Sequence, residues 1–298
     1  MSNNIIEVKN LERNYGSLKA VRGLNLSVPE GSITGMLGPN GAGKTTTLHI
    51  LMGILRRDKG QVSVMGHDPQ QNPVAVKKDT GFVMESPKGE PRFTVKQQLK
   101  FQKAFRPGWS DAFEEELLGL FSLKKDKPVY ALSRGEQAKL ALICALAFKP
   151  RLLVLDDPTS GLDPLARREF IDSIIRILAE EGSTVLFSTH QVDDIERVAD
   201  RIVMIQEGRE ILSDTLEDIH HNWCAFRLIF DDSTPETVDI PGMARWEPMN
   251  KEGIAIIKSY SEQSMSSMKS LTQKVIPVDF SLEDIYLEIV RDTSRGEE

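Results

Sequence analysis

Gly38-Pro-Asn-Gly-Ala-Gly-Lys-Thr45 is the stretch that decides the fold of this chain. It fits G-x-x-x-x-G-K-[ST], in which successive backbone N–H groups wrap a row of phosphates and the lysine reaches the outer oxygens. Before it, Ser32-Ile-Thr-Gly-Met-Leu37 reads as a short buried strand; after it, Thr45 to Leu55 reads as a helix. A loop held between a strand and a helix N-terminus offers free N–H groups and the positive end of the helix dipole, and both favour an anion. Gly38, Asn40, Gly41, Ala42, Gly43, Lys44, Thr45 and Thr46 are therefore the residues expected to hold a nucleoside triphosphate. The strictness of the match and its context set aside the bland alternative, a glycine-rich turn that merely joins two elements.

At 298 residues and 40% apolar content, the chain can form one large or two modest domains with a real core. Its longest apolar run near the middle, Leu140 to Phe148, covers nine residues, far short of the ~20 that cross a bilayer. No basic-then-apolar leader precedes Ile5-Ile-Glu-Val8. Cys144 and Cys224 have no spacing suited to a metal or a disulfide framework. A cytosolic compartment is the expectation. The net charge is −7, and residues 221–298, with eight basic and fourteen acidic side chains, hold most of it. Neither portion has the basic excess of a broad nucleic-acid footprint, so no nucleic-acid partner is expected.

Along the chain, β-like segments at Ile5–Val8, Leu18–Val21 and Leu24–Val28 come first, separated by polar turns. A β-rich return through Gln61–Val64 and a strand over Thr80–Glu85 follow the phosphate loop. Helical spacing then marks an insert, about residues 87–131, with helices at Thr94–Phe105 and Asp111–Phe121 broken by Arg106-Pro-Gly-Trp-Ser110. After Leu132, helices at Arg134–Phe148, Pro164–Glu180 and Gln191–Ala199 alternate with strands at Leu152–Leu155, Thr184–Ser188 and Arg201–Ile205. That alternation predicts an α/β body with a mostly parallel sheet and helices on both faces. A hairpin at Gly208 leads into Glu210–Leu212. The texture changes beyond residue 220, which sets domain limits of 1–220 and 221–298. The second part carries β-like Cys224–Phe230 and Gly253–Lys258, a Ser/Met-rich stretch at Ser261–Ser270 and an amphipathic helix at Leu282–Val290. Residues 291–298 are polar and expected to be disordered.

Two carboxylates, Asp156 and Asp157, end the apolar run Leu152-Leu-Val-Leu. A buried parallel strand has this composition, and ligands bind at its C-terminal end. There Asp156 can hold the water shell of Mg2+ while Thr45 gives its hydroxyl to the same ion. Strand alternation would turn Asp157 away from Asp156, towards an attacking water. Ser133-Arg-Gly-Glu136 has the spacing of a capping box; a helix N-terminus with a free hydroxyl is also a γ-phosphate site, and the two readings are compatible. His190 ends another strand, a position that raises the odds for an otherwise unremarked histidine.

Taken together, these residues resemble the ATP-binding cassette (ABC) ATPases over about residues 4–212. Tyr15 lies where that family places an aromatic against adenine, and Gly38–Thr45 is its Walker A loop. Glu85 stands at the Q-loop position, and Leu132-Ser-Arg-Gly-Glu-Gln137 at the signature, with Ser133, Gly135 and Glu136 acting in trans. Leu152–Asp156 is Walker B, Ser160-Gly-Leu-Asp163 the D-loop with Asp163, and His190 the switch histidine. The resemblance implies a P-loop cassette with an N-terminal antiparallel β subdomain, the helical insert and a small C-terminal α/β extension. It implies ATP and Mg2+ as cofactors, Thr45, Glu85 and Asp156 as metal residues, and Asp157, His190 and Glu85 in hydrolysis. It also implies two partners: a second ABC ATPase protomer, identical or a paralogue, and an integral membrane permease subunit on which the insert docks. The chain would then lie on the inner face of the cell membrane, as the motor of an exporter. Phe93–Leu99 and Ser281–Leu287 look most like ATPase subunits of polytopic exporters.

Three positions depart from the family pattern: Asp157 replaces glutamate, Glu85 replaces glutamine, and Arg134 replaces the first signature glycine. One methylene fewer withdraws the Asp157 carboxylate by ~1.5 Å, and ~1 Å of misplacement can slow a reaction on the order of 100-fold. Slow hydrolysis with long-lived closed dimers is the expectation. The competing readings are a soluble, non-transport ABC ATPase and a clamp that binds ATP without meaningful turnover.

Overall fold

Strands that are apolar on both faces must lie in the middle of a sheet, and three of them carry the loops of interest. The computed structural model describes residues 4–295 and divides the chain into two compact units, Met1–Ser213 and Asp214–Glu298. The first unit begins with β1 (Asn4–Tyr15), β2 (Leu18–Pro29), β3 (Ile33–Leu37), α1 (Lys44–Leu51), β4 (Lys59–Val64), α2 (Pro73–Lys78) and β5 (Thr80–Val83). The insert follows as α3 (Val95–Lys103), α4 (Asp111–Leu120) and a 3-10 turn at Val129–Ala131. Then come α5 (Arg134–Leu146), β6 (Leu152–Asp156), α6 (Pro164–Glu181), β7 (Thr184–Thr189), α7 (Val192–Val198), β8 (Arg201–Gln206) and β9 (Arg209–Thr215).

A six-stranded sheet runs β5-β6-β7-β3-β8-β9, and the pairs β5·β6, β6·β7, β7·β3 and β3·β8 are parallel. Every residue of β6 and β7 is buried. A three-stranded antiparallel sheet, β2-β1-β4, lies against it. Ile6, Leu11 and Leu24 from the small sheet share one core with Met36, Leu48, Val154 and Leu186 from the large one and α1. Parallel register sets Leu37 beside Thr189 and Asp156 beside Ser188. The C-terminal ends of β3, β6 and β7 are thereby neighbours, and the loops leaving them carry Gly38, Asp157 and His190.

Close packing explains two loop glycines. A Cβ on Gly38 would lie 2.2 Å from Ile205 O, and one on Gly43, at φ +100°, would lie 2.4 Å from Ala20 O. Neither backbone oxygen can swing away as a side chain could. Gly38→Ala is expected to destabilise the protein by about 1–3 kcal/mol through overpacking. Urea unfolding checks this, and an unchanged midpoint would mean that the loop shifts freely.

Several elements differ from the sequence expectation. The helix read over Thr45–Leu55 stops at Leu51, because Gly53 takes φ +61° and a Cβ there would meet Pro69 O at 2.5 Å. The strand read to Glu85 stops at Val83, so Glu85 lies exposed in the following segment. The segments Leu18–Val21 and Leu24–Val28 are one strand, β2, in which Gly23 adopts φ +73° without breaking the pairing to β1.

The second unit contains α8 (Leu216–Asn222), β10 (Cys224–Ile229), β11 (Met243–Met249), β12 (Glu252–Ile257), α9 (Glu262–Leu271), β13 (Lys274–Val278) and α10 (Leu282–Arg295). Its four strands pair antiparallel in the order β11-β12-β10-β13 around Phe226, Leu228, Ala255, Ile257 and Met268. The Ser/Met-rich stretch is helix α9, started by Ser261 accepting a hydrogen bond from Ser264 N. The compact units divide between residues 213 and 214, and the limit drawn at residue 220 falls inside α8. The polar tail read as disordered from residue 291 continues α10 to Arg295; residues 296–298 of that tail lie outside the described residues.

Candidate functional site

Lys44 opens α1 and is buried, 7% exposed, with Nζ donating to Gly38 O at 2.6 Å and Pro39 O at 3.0 Å. The ammonium is thus folded onto the loop that would wrap the phosphates. Burial pushes its pKa down, against the opposing pull of Asp157, Asp156 and Glu85. Those three carboxylates therefore share one electrostatic environment with Lys44. Asn40 and Gly41 are exposed at the loop crest, Ala42 is buried, and Thr46 is half-buried in the first turn of α1.

Thr45 stands beside Lys44 on the same helical turn. Its Oγ1 donates to Asp156 Oδ1 at 3.0 Å, and Ser188 Oγ donates to the same oxygen at 2.9 Å. Asp156 is only 2% exposed, so the two hydroxyls hold its carboxylate in one orientation. His49, one turn further along α1, brings Nε2 to 3.9 Å from Asp156 Oδ2.

Asp157 departs from the strand geometry used to read it. β6 ends at Asp156, and Asp157 takes φ +41°, a left-handed conformation uncommon outside glycine. The divergence of the two carboxylates comes from this turn, not from strand alternation. Asp157 N donates to both Ser188 O (3.1 Å) and Ser188 Oγ (3.0 Å), which pins the turn to the end of β7. Asp157 Oδ2 meets His190 Nδ1 at 2.8 Å, whereas the buried Oδ1 has no hydrogen-bond partner among the described residues. A buried acceptor without a donor is costly unless something supplies one. His190 is exposed and its Nε2 lies 3.5 Å from Gln191 Nε2.

The remaining residues fall into separate places. Glu85 Oε1 accepts from Ser160 Oγ at 3.4 Å, joining the segment after β5 to the segment after Asp157. Asp163 Oδ1 accepts from Leu165 N and Ala166 N and so starts α6. Ser133 and Glu136 form the full capping box of α5, and Lys127 grips the Glu136 carboxylate at 2.7 Å. The Lys127 contact and the Ser133 N–H hold Glu136 below the usual carboxylate range. Among the described residues, the hydrogen bonds of Ser133 and Glu136 stay within α5 and Lys127; none reaches the phosphate loop. Gly135 leaves room facing Leu162 and Ala166, and a Cβ on Gly161 would come within 2.9 Å of Arg134 Nη1. Tyr15 is 42% exposed, with the Arg13 guanidinium 4.8 Å from its ring centre.

Sequence reasoning missed Ser188, the hydroxyl that fixes both Asp156 and the Asp157 turn. Only the register of β6 against β7 reveals it. It also missed Thr159 and Asp194, whose buried hydrogen bond of 2.7 Å ties the segment after Asp157 to α7 behind His190.

A glycine-rich loop feeding α1, with a hydroxyl–carboxylate pair at its base and an Asp–His pair alongside, defines a phosphate-loop nucleotide-binding cassette. Residues 21–160 match the family described as ABC transporter. The chain is 39% identical over 213 residues to Nod factor export ATP-binding protein I of Burkholderia orbicola, covering 69% of each chain. It is 29% identical over 300 residues to the ABC transporter ATP-binding protein YhcH of Bacillus subtilis, covering 97% of each. Among solved structures, cbiO1 from Clostridium perfringens, part of the ABC transporter complex cbiONQ, matches with a TM-score of 0.65 at 26% identity. That match covers 74% of this chain and 91% of the other. The chain belongs to the family of ABC transporter ATP-binding proteins.

Proposed function

We propose that this chain hydrolyses ATP as the motor subunit of an exporter, closing around ATP with a second ATPase protomer to drive a separately encoded membrane permease. The observation that carries the hydrolytic step is the Asp157–His190 pair, with one Asp157 oxygen on His190 and the other buried and lacking a donor. A water between Oδ1 and the γ-phosphate would satisfy that oxygen and be oriented for attack. Lys44 would exchange its two loop carbonyls for phosphate oxygens, and the N–H groups of Gly41, Gly43, Lys44, Thr45 and Thr46 would take the remainder. Tyr15 would stack on the adenine, and His190 would hold the γ-phosphate and align Asp157.

Thr45 Oγ1 and Asp156 Oδ1, 3.0 Å apart, are hard oxygen donors suited to Mg2+. Among the described residues no group of three or more His, Cys, Asp or Glu side chains converges, and Mg2+ needs none, since it keeps waters and substrate phosphate oxygens. When bound, Mg2+ supplies charge neutralisation of the β- and γ-phosphates. Glu85 would add a carboxylate to the residues that hold the ion and report its state to the insert.

Ser133, Gly135 and Glu136 would act on the nucleotide of the other protomer, which agrees with their lack of hydrogen bonds to the phosphate loop of their own chain. Asp163 would meet the partner through the D-loop. No helix among the described residues is long and apolar enough to cross a membrane; the chain would lie on the inner face of the membrane by holding its permease. The export direction draws support from the relative named for Nod factor export.

Sedimentation of the Asp157→Asn protein tests this reading. With ATP and Mg2+ it is expected to run as a dimer, and with ADP as a monomer. A strictly monomeric protein in both conditions, with the permease supplied as well, would overturn it.

A further inference from the structure

A chain of polar contacts leads from α6 into the Asp157–His190 pair. Arg167 lies in the first turn of α6, with its backbone N–H donating to Asp163 O. Its Nη1 donates to Gln191 Oε1. Gln191 Nε2 lies 3.5 Å from His190 Nε2, and His190 Nδ1 meets Asp157 Oδ2 at 2.8 Å. Arg167, Gln191, His190 and Asp157 are thus joined in series.

Chemistry gives the series one direction. A guanidinium has donors only, so the Gln191 atom that faces Arg167 is its oxygen, and the amide NH2 is turned to His190. That NH2 can only donate, so His190 Nε2 meets it with a lone pair. The Asp157 carboxylate can only accept, which puts the ring proton on Nδ1. The partner of one ring nitrogen fixes the proton on the other, and here both partners demand the same tautomer.

The surroundings leave these groups to that task. Gln191 holds the N-cap position of α7 yet makes no side-chain cap hydrogen bond. Its backbone N–H donates to Thr189 Oγ1 at 3.0 Å, which fixes the turn that presents the amide. Arg167 and Gln191 are both half-buried. Arg167 Nε is buried with no acceptor among the described residues, so Nη1 carries the contact. Burial pushes the Asp194 carboxyl up, and the Thr159 hydroxyl and the Arg167 charge pull it down, so Arg167 also feels an acid on α7.

We infer that Arg167 and Gln191 are positioning residues for the hydrolytic step: Arg167 orients the Gln191 amide, and the amide holds His190 as the Nδ1–H tautomer against Asp157 Oδ2. Asp157 Oδ1 is then the oxygen left to take a water. Without the oriented amide, the ring can turn about its Cβ–Cγ bond or carry its proton on Nε2, and either change costs Asp157 its donor. A phosphate oxygen arriving at Nε2 is an acceptor, so contact with it requires a proton there and displaces the amide. The pair therefore sets the state from which His190 engages a nucleotide. The inference rests on the reading of the chain as an ATPase.

The test uses the full chain with nitrogen-labelled histidine, His190 being assigned by the ring signals lost in His190→Asn. Proton–nitrogen NMR spectra of the nucleotide-free protein at alkaline pH, where an ordinary histidine is neutral, are expected to show His190 protonated at Nδ1 alone. Arg167→Met frees the amide to turn its oxygen to Nε2, and signals of an Nε2–H ring should appear. Arg167→Lys still only donates and should restore the wild-type spectrum. Phosphate release at saturating ATP should fall about 10-fold in Arg167→Met and in Gln191→Leu, with ATP affinity changed less than about twofold. The double variant should be no slower than the slower single one, as residues acting in series require, and Arg167→Lys should recover most of the turnover. A wild-type ring protonated at Nε2, or exchanging between tautomers, overturns the inference before any variant is made. So does turnover that falls in Arg167→Met while its ring spectrum stays that of wild type, the mark of a merely structural role. Turnover in both variants equal to or above that of wild type overturns the inference alone, whereas a wild-type chain that shows the Nδ1–H ring and releases no phosphate overturns the ATPase reading beneath it.

Discussion

Asp157→Glu is expected to raise ATP turnover by about 10- to 100-fold, and Asp157→Asn to lower it by at least about 100-fold. Aspartate places its carboxylate ~1.5 Å short of where glutamate would, and one of its oxygens is already committed to His190 Nδ1 at 2.8 Å. The other is buried without a donor, set by a backbone turn at φ +41° that two Ser188 contacts hold in place. The longer side chain would carry that oxygen towards the γ-phosphate, so a water bound to it would sit closer to in-line attack. Asparagine keeps the shape and removes the base, so ATP should bind and persist. Phosphate release at saturating ATP measures both effects. A glutamate variant no faster than wild type would show that the Ser188-pinned turn is built around the shorter acid. Equal release by wild type and Lys44→Ala would instead favour a clamp without turnover.

Lys44→Ala is expected to weaken ATP binding by at least about 100-fold and to leave no measurable turnover. The ammonium makes two short hydrogen bonds to loop carbonyls, at 2.6 and 3.0 Å. On binding it would exchange them for charged phosphate oxygens, each such hydrogen bond contributing about 1.5–3 kcal/mol. The ligand-free protein should tell a different story. Burial disfavours the charged form of Lys44, so its removal relieves a desolvation penalty and should not lower the melting temperature of the apoprotein. Titration with a fluorescent ATP analogue and a thermal melt separate the two effects. Loss of binding together with a large loss of apo stability would mean that Lys44 holds the loop rather than the nucleotide.

The legible parts were those whose chemistry is local. Gly38–Thr45 specifies its own conformation through glycines and a helix start. Leu152–Asp156 declares a buried strand by composition, and Ser133–Glu136 declares a cap by spacing. The α/β alternation after Leu132 followed from periodicity, and each of its strands and helices lies within a few residues of its expected limits. The second unit was less legible. The strand Met243–Met249 is half-buried up to Glu247, then exposed at Pro248 and Met249, and Lys274–Val278 includes Pro277, so neither shows clean alternation. Met243–Met249 is formed by a hairpin with the neighbouring β12, and Lys274–Val278 by pairing with β10, which lies well back in sequence.

What the sequence alone determined, then, was the kind of chemistry: a phosphate-wrapping loop, a hydroxyl and two acids at the end of a strand, and a histidine at the end of another. These follow from residue type and near-neighbour spacing. Tertiary structure decided which of them work together. The order β6-β7-β3 puts three separate loops side by side. Parallel register then delivers Ser188 to both Asp156 and Asp157 and sets His190 on one Asp157 oxygen while the other stays unpartnered. Such pairings depend on the register of strands more than thirty residues apart along the chain, and local propensity carries no information about them.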